Sequence, residues 1–318
     1  MTGVRPSMRI YRTFPHRADG GIALTIGNFD GVHRGHQAMV ARLEAAAQAR
    51  GLPACVMTFE PHPREFFTPN EAPARLTPLR DKVEQLAALG VDRVYVCRFS
   101  TRFARQAPEE FVREMLVRRL GVRWLLVGDD FRFGAKRGGD VALLQRLAPE
   151  SGMEIDRMDT ILVDGARASS TAVRDALAAG ELDAARQLLG RPYGITGRVV
   201  GGDRLGRQLG FPTANIHMTL NRPPLKGIYA VEAHGLGDAP VRGAASLGVR
   251  PTVSDTNRPT LEVFLFDFDR DIYGRRVRLD FLHKLRDEEK YPTLDLLKAQ
   301  IARDVRATQE FFRSRAGV

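Results

Sequence analysis

Residues 21–50, GIALTIGNFDGVHRGHQAMVARLEAAAQAR, read as a strand, a glycine-bearing turn and a helix in direct succession. GIALTIG is short and almost continuously apolar, the pattern of a strand covered on both sheet faces. Three similar runs, PACVMTF, DRVYVCRF and VRWLLVG, follow downstream. Between and after them lie helix-period segments: PLRDKVEQLAAL, PEEFVREMLVRRL and DVALLQRL. Thr77 and Pro78 supply an N-cap and a first helical residue for one of these. Pro108 with Glu109 and Glu110 marks another helix start, where acidic side chains oppose the positive end of the helix dipole. Strands and helices alternating at this spacing predict a doubly wound parallel sheet. Two short helical segments, TAVRDALAAG and ELDAARQLLG, close this half.

After Gly190 the period changes. RPYGITGRVVGG, GIYAVEAHG, VRGAASLGV, LEVFLFDF and RRVRLDFL are strand-like and separated by Gly, Pro, Asp and Asn. A long helical pattern returns only in TLDLLKAQIARDVRATQEFF. This half reads as a compact antiparallel barrel or sandwich with one terminal helix. With 318 residues the chain has room for two domains. The boundary falls near residues 187–193, which sets the domains at 1–187 and 188–318.

Apolar residues make up 43% and charged residues 27%, ordinary proportions for globular cores with charged surfaces. No stretch approaches the roughly 18 consecutive apolar residues of a membrane span, and the N-terminus lacks the apolar segment of a secretory signal. The expected location is the cytoplasm, with no membrane partner. Cys55 and Cys97 each sit inside a β-like run, which suits buried core thiols and excludes a disulfide framework. The formal charge of +10 raises the question of nucleic-acid binding. Against it, the arginines are spread along the chain and no RNP-like aromatic motif is present. Anionic small molecules such as nucleotides suit the charge equally well.

The turn TIGNFDGVHRGHQ, residues 25–37, carries the first candidate site. In a parallel sheet, the carboxyl end of a strand beside a helix N-terminus is where phosphates bind. Gly31 and Gly35 permit close backbone approach, and His33 and His36 share a helix face. Imidazoles there can donate hydrogen bonds to a phosphoryl group during transfer. A histidine pair also fits a metal site lacking a third ligand, or two solvated helix-start residues.

The run resembles the H-x-G-H signature of the nucleotidyltransferase superfamily, whose members transfer adenylyl groups by attack on an α-phosphate. SSTAVRDAL, residues 169–177, is similar to that family's I-S-S-T-x-x-R segment, with Ala168 where a larger apolar residue is usual. The resemblance implies that Ser170, Thr171 and Arg174 bind the triphosphate of ATP and the departing pyrophosphate. Ordinary helix capping by these hydroxyls uses the same geometry. TFEPHPREFF (58–67), LTPLRDKVEQLAALGVDRV (76–94), PEEFV (108–112) and VGDDFRFGAKRGGD (127–140) look like bacterial FAD synthetase modules. They imply ATP contacts from Gly27, Asn28, Phe29, Asp30 and Gly35, catalytic roles for His33 and His36, and a flavin contact from Asp130.

GRQLGFPTANI, residues 206–216, resembles the riboflavin kinase signature. Glycines at 197, 201, 202, 206 and 210 make a loop whose amides can cover phosphates, with Gly206 among the ATP contacts. The Thr213 hydroxyl and the Asn215 carbonyl oxygen are hard, neutral ligands suited to Mg²⁺ that also keeps waters and ATP oxygens. KGIYAV (226–231), SLGVRPTV (246–253), LEVFLFDFDRDIYGRRVRLDF (261–281) and RDEEKYPTLDLLKAQI (286–301) follow the riboflavin kinase order, with Tyr291 where Phe is common.

In LEVFLFDF, period two places Glu262 on one face with Phe264 and Phe266. A carboxylate on an apolar face is costly unless paired. It is either a strand-edge residue bonded to Arg250 or Arg286, or a functional group. The resemblance favours the second, a catalytic base for the ribityl 5′-hydroxyl, and assigns Arg286 to the flavin.

From about residue 21 to 305, then, the chain resembles the bacterial bifunctional riboflavin kinase/FAD synthetases. The architecture this implies is an N-terminal doubly wound nucleotidyltransferase domain followed by an antiparallel β-barrel with a terminal helix. Riboflavin, FMN, FAD and ATP are the implied small-molecule partners, with Mg²⁺ accompanying ATP. The alternative is an adenylyltransferase for another substrate, carrying a non-catalytic binding barrel.

Overall fold

A computed structural model describes residues 8–163, 165–202, 206, 209–249 and 259–316. The chain forms two compact units. The first runs to Pro73 and resumes over Leu79–Ser169, and the second takes Ala74–Pro78 and continues from Ser170.

The first unit holds a six-stranded parallel sheet. Its strands are β1 (Arg9–Tyr11), β2 (Ile22–Ile26), β3 (Ala54–Glu60), β4 (Arg93–Arg98), β5 (Val122–Gly128) and β6 (Glu154–Met158). They lie in the order β1-β4-β3-β2-β5-β6, with every pairing parallel. The four apolar runs form the four central strands. The two edge strands are RIY and EIDRM, too short and polar to carry the pattern of a doubly covered strand. Successive residues of β2 enter different cores. Ile22, Leu24 and Ile26 pack with Leu125 and Val127 on one face, and Ala23 packs with Val56 and Trp124 on the other.

The helices of this unit are α1 (Arg34–Arg50), α2 (Pro63–Phe67), α3 (Leu79–Ala88), α4 (Thr101–Ala104), α5 (Pro108–Glu110) and α6 (Val141–Ser151). The expected helix over PEEFVREMLVRRL begins as α5 but continues over Phe111–Arg119 as a π-helix. The apolar face is kept, with Phe111, Val112, Met115 and Leu116 buried, while the hydrogen bonding widens to one residue more per turn. Strand order reverses beside β2: β3 and β4 lie to one side of it and β5 and β6 to the other. The crevice beyond the carboxyl ends of β2 and β5 is therefore the topological switch point, where ligands of open α/β sheets bind.

A two-residue hairpin, β7 (Leu162–Val163) with β8 (Ala166–Arg167), precedes the second unit. That unit starts with α7 (Ser170–Ala179) and α8 (Leu182–Leu189). It then builds a closed barrel of β9 (Tyr193–Val200), β10 (Ala214–Met218), β11 (Gly227–His234), β12 (Val241–Val249), β13 (Pro259–Leu265) and β14 (Arg276–Arg286). The order around the barrel is β10-β13-β12-β11-β14-β9, antiparallel throughout. The helix α9 (Leu294–Ala316) ends the fold. Closure settles the choice between barrel and sandwich, and β10 is the element that achieves it. Its five residues, ANIHM, bury only Ile216 and leave no alternation for the sequence to display.

No helix among the described residues is long and apolar enough to cross a membrane. Both thiols are buried in the first unit's sheet, Cys55 in β3 and Cys97 in β4. Loss of hydration on burial pushes each thiol up to about 12. At pH 8 the thiolate fraction is then about one part in ten thousand, and the thiolate is the reactive form. Folded protein is therefore expected to incorporate no iodoacetamide at pH 8, whereas denatured protein incorporates two equivalents by mass.

Candidate functional site

The turn after β2 has an unusual backbone. Phe29, Gly31 and Val32 all have positive φ, at 49°, 86° and 42°. Glycine takes this region freely, but a β-branched valine there is strained, so its surroundings must hold it. Phe29 and Val32 are fully buried, and Phe29 packs its ring against the Gly27 Cα, where a side chain would crowd it. Asp30 is buried as well. His33 caps α1 in an extended conformation, its ring lying over the Gly35 backbone.

The two imidazoles stack, with ring centroids 3.7 Å apart, and Phe29 lies 4.8 Å from the His36 ring. Burial holds His36 well below its ordinary value, helped by the neighbouring His33 and the Lys82 ammonium. His36 is therefore a neutral imidazole at pH 7, and its Nδ1 is buried with no hydrogen-bond partner among the described residues. Neutral imidazole carries one N–H, so His36 can offer a hydrogen bond but no fixed charge. His33 and His36 form one wall of a cleft of about 180 Å³. Its lining also includes Asp129, Asp130 and Asp159, from the residues after β5 and β6, and Ser169. Asp130 is exposed, and its carboxylate accepts a 2.6 Å hydrogen bond from Arg167. Arg167 is a cleft residue that the sequence did not single out.

Ser170 and Thr171 open α7, as the helical pattern requires. Arg174, one turn further on, donates through Nε to the Ala74 carbonyl at 2.5 Å.

In the second unit, a cleft of about 320 Å³ opens beside β13. Leu261, Val263 and Leu265 fill the barrel interior, so Glu262, Phe264 and Phe266 share the opposite face, as the two-residue period predicts. Glu262 and Phe264 line the cleft together with Phe211, Thr213, Ser246 and Arg286. The Thr213 hydroxyl donates to Glu262 Oε2 at 3.2 Å. Asn215 lies directly across the ladder from Glu262, and opposed residues point to the same face. A β-carbon at Gly202 would collide with the Asn215 side chain, and one at Gly206 with the Phe211 carbonyl. Glycine is thus required where this loop backbone passes the two candidate ligands.

Arg286 does not pair with Glu262. It makes a bidentate pair with Asp304 of α9, at 2.9 and 2.7 Å, tying the barrel to the helix. Arg250, the other candidate partner of Glu262, lies outside the described residues. Glu288, which the sequence did not single out, also lines the cleft and accepts from the Ser246 hydroxyl at 3.3 Å. Its carboxylate rests where a side chain on residue 248, near the end of β12, would be.

Comparison with known proteins covers both clefts. Residues 16–172 match the FAD synthetase family and residues 189–312 the riboflavin kinase family. The bifunctional riboflavin kinase/FMN adenylyltransferase of Escherichia coli K12 is 51% identical over 292 residues, 92% of this chain and 93% of that protein. The protein of the same description from Pseudomonas fluorescens is 48% identical, over 91% and 92% of the two chains. That from Haemophilus influenzae is 46% identical, over 92% and 95%. Among solved structures, one described as a macrolide-efflux protein from Streptococcus pneumoniae superimposes with a TM-score of 0.82 at 28% identity, covering 95% of this chain and 99% of that one.

Proposed function

The chain belongs to the bifunctional riboflavin kinase/FMN adenylyltransferase family, and from that premise we propose how its own residues divide the chemistry. It phosphorylates riboflavin to FMN with ATP, and adenylylates FMN to FAD with a second ATP, releasing pyrophosphate. The first step belongs to the barrel cleft. The carboxylate of Glu262 takes the proton of the ribityl 5′-hydroxyl as that oxygen bonds to the γ-phosphorus and ADP leaves. The observation that carries this assignment is the Thr213–Glu262 hydrogen bond, which sets a neutral oxygen ligand beside the base at one cleft wall.

Mg²⁺, when bound with ATP, neutralises phosphate charge there. The donor set fits it: a hydroxyl and an amide oxygen on one face, with no cluster of three His, Cys, Asp or Glu among the described residues. Such neutral ligands suit an ion that retains waters and phosphate oxygens. Thr213 still has lone pairs to offer while its proton is given to Glu262. Arg286 and the phenylalanine-lined wall would face the flavin, and Gly206 the ATP phosphates.

The second step belongs to the cleft at the switch point of the parallel sheet. An FMN phosphate oxygen attacks the α-phosphorus while the bond to the β-phosphate oxygen breaks. The nucleophile is already an anion, so no base is needed. His33 and His36 donate to the phosphoryl oxygens as charge builds on them, and Gly27, Asn28, Phe29, Asp30 and Gly35 shape the turn that receives ATP. By resemblance, Ser170, Thr171 and Arg174 hold the leaving pyrophosphate, and Asp130 contacts the flavin. ATP as donor in both steps suits a cytoplasmic enzyme. The test is to incubate the protein with riboflavin and Mg-ATP and follow the flavins by chromatography. FMN should rise first and FAD after it; FAD formed only from added FMN would leave the barrel a binding module.

The activities are further expected to divide at residues 187 and 188. A fragment of residues 1–187 should convert FMN to FAD and leave riboflavin untouched. A folded fragment that makes no FAD would move the boundary, because α7 and α8 group with the barrel's unit.

A further inference from the structure

In α3 the residues at positions 79, 82, 83 and 86 form a helical stripe of Leu, Lys, Val and Leu. A lysine thus occupies a core-facing position, and it is only 4% exposed. Desolvating an ammonium is costly, and lysines are almost never buried this far without a specific partner. The Lys82 ammonium donates to the Asn28 carbonyl oxygen at 2.6 Å and to the Thr58 hydroxyl at 3.3 Å. Thr58, fully buried at the end of β3, donates in turn to the same Asn28 carbonyl at 3.1 Å.

Two donors from two elements, α3 and β3, therefore converge on one peptide oxygen. That oxygen belongs to the residue immediately before Phe29, where the left-handed stretch of the turn begins. Fixing the Asn28 carbonyl toward α3 fixes the plane of the Asn28–Phe29 peptide, and with it the direction of the Phe29 amide.

We propose that Lys82 is a positioning residue for adenylyl transfer: it clamps the Asn28 carbonyl from beneath the sheet, holds the strained turn in its working conformation, and supplies a buried positive charge behind the phosphate site. This rests on the assignment of the His33–His36 cleft to adenylylation. The charge has a second consequence, because a cation near His36 favours the neutral imidazole. Facing His36 are His33 from the same turn, Lys82 from α3, and the cleft residues Asp129, Asp130, Asp159 and Arg167.

The test uses full-length Lys82→Met and Lys82→Gln, with His36→Ala alongside. Lys82→Met keeps the length of the chain and removes both charge and donor. Its kcat for FMN adenylylation should fall about tenfold to a hundredfold, the loss that misplacement by about 1 Å causes. Lys82→Gln, which keeps a donor, should lie between it and the wild type. Riboflavin phosphorylation should stay unchanged in both. In Lys82→Met, NMR titration of labelled histidine should show the His36 imidazole protonating at higher pH than in the wild type.

A folded Lys82→Met with wild-type kcat and an unmoved His36 titration overturns the proposal. So does failure of both variants to fold, since Lys82 would then be a core residue only. Full activity in His36→Ala would instead defeat the cleft assignment itself.

Discussion

Replacing His36 with alanine is expected to stop FAD formation while FMN accumulates from riboflavin. His36 is half-buried, stacks on His33 and is kept neutral by its surroundings, so under the proposed assignment it would meet the phosphoryl oxygens as a preorganised donor. Removing one such donor costs about 10²–10³ in rate. The kinase provides an internal control, because Glu262 and Thr213 lie in a separate cleft of the other unit. Equal loss of both activities would signal a folding defect rather than a missing donor.

Stability should respond in a specific direction too. The unfolded chain protonates His36 near 6.5, whereas the folded chain resists protonation until well below that value. Between those two values the unfolded state binds more protons, so folded stability declines as pH falls below about 6.5. His36→Ala removes that contribution. Its Tm should therefore drop less than that of the wild type between pH 7.5 and pH 5.5, measured by calorimetry.

Glu262→Gln is expected to disable riboflavin phosphorylation and spare FMN adenylylation. The amide oxygen of glutamine can still accept the Thr213 hydroxyl, so the local hydrogen bond survives. Only the ability to take a proton is lost, and general-base catalysis contributes about 10²–10⁴-fold. ATP affinity should change little, because the carboxylate is assigned to the flavin hydroxyl. A structural role makes the opposite prediction: lowered Tm with most turnover retained. Single-turnover FMN formation and a melting curve on one preparation separate the two. Near-normal kinase activity in a stable variant would remove Glu262 from the mechanism.

Periodicity made the four central strands of the parallel sheet legible, because strands covered on both faces must be apolar throughout. It failed for β1, β6 and β10. Edge strands and a short barrel-closing strand bury too few side chains to leave a pattern. The π-helical hydrogen bonding of Phe111–Arg119 was equally hidden, since the burial of its apolar face is compatible with more than one helix pitch.

The chemistry divides in the same way. The sequence by itself determined the two units' classes, the glycine turn with its two histidines, and the alternation that sets Glu262 on the face of Phe264. These follow from local rules of backbone freedom and side-chain period, which act over a few residues. Only the tertiary structure decided that Glu262 meets Thr213 rather than Arg286, that Arg286 is held by Asp304, and that Lys82 reaches Asn28. Each of those pairs joins residues between 18 and 54 positions apart. Such partners are chosen by strand order and by the cost of burying an unpaired polar group, and neither is expressed in any short stretch of sequence.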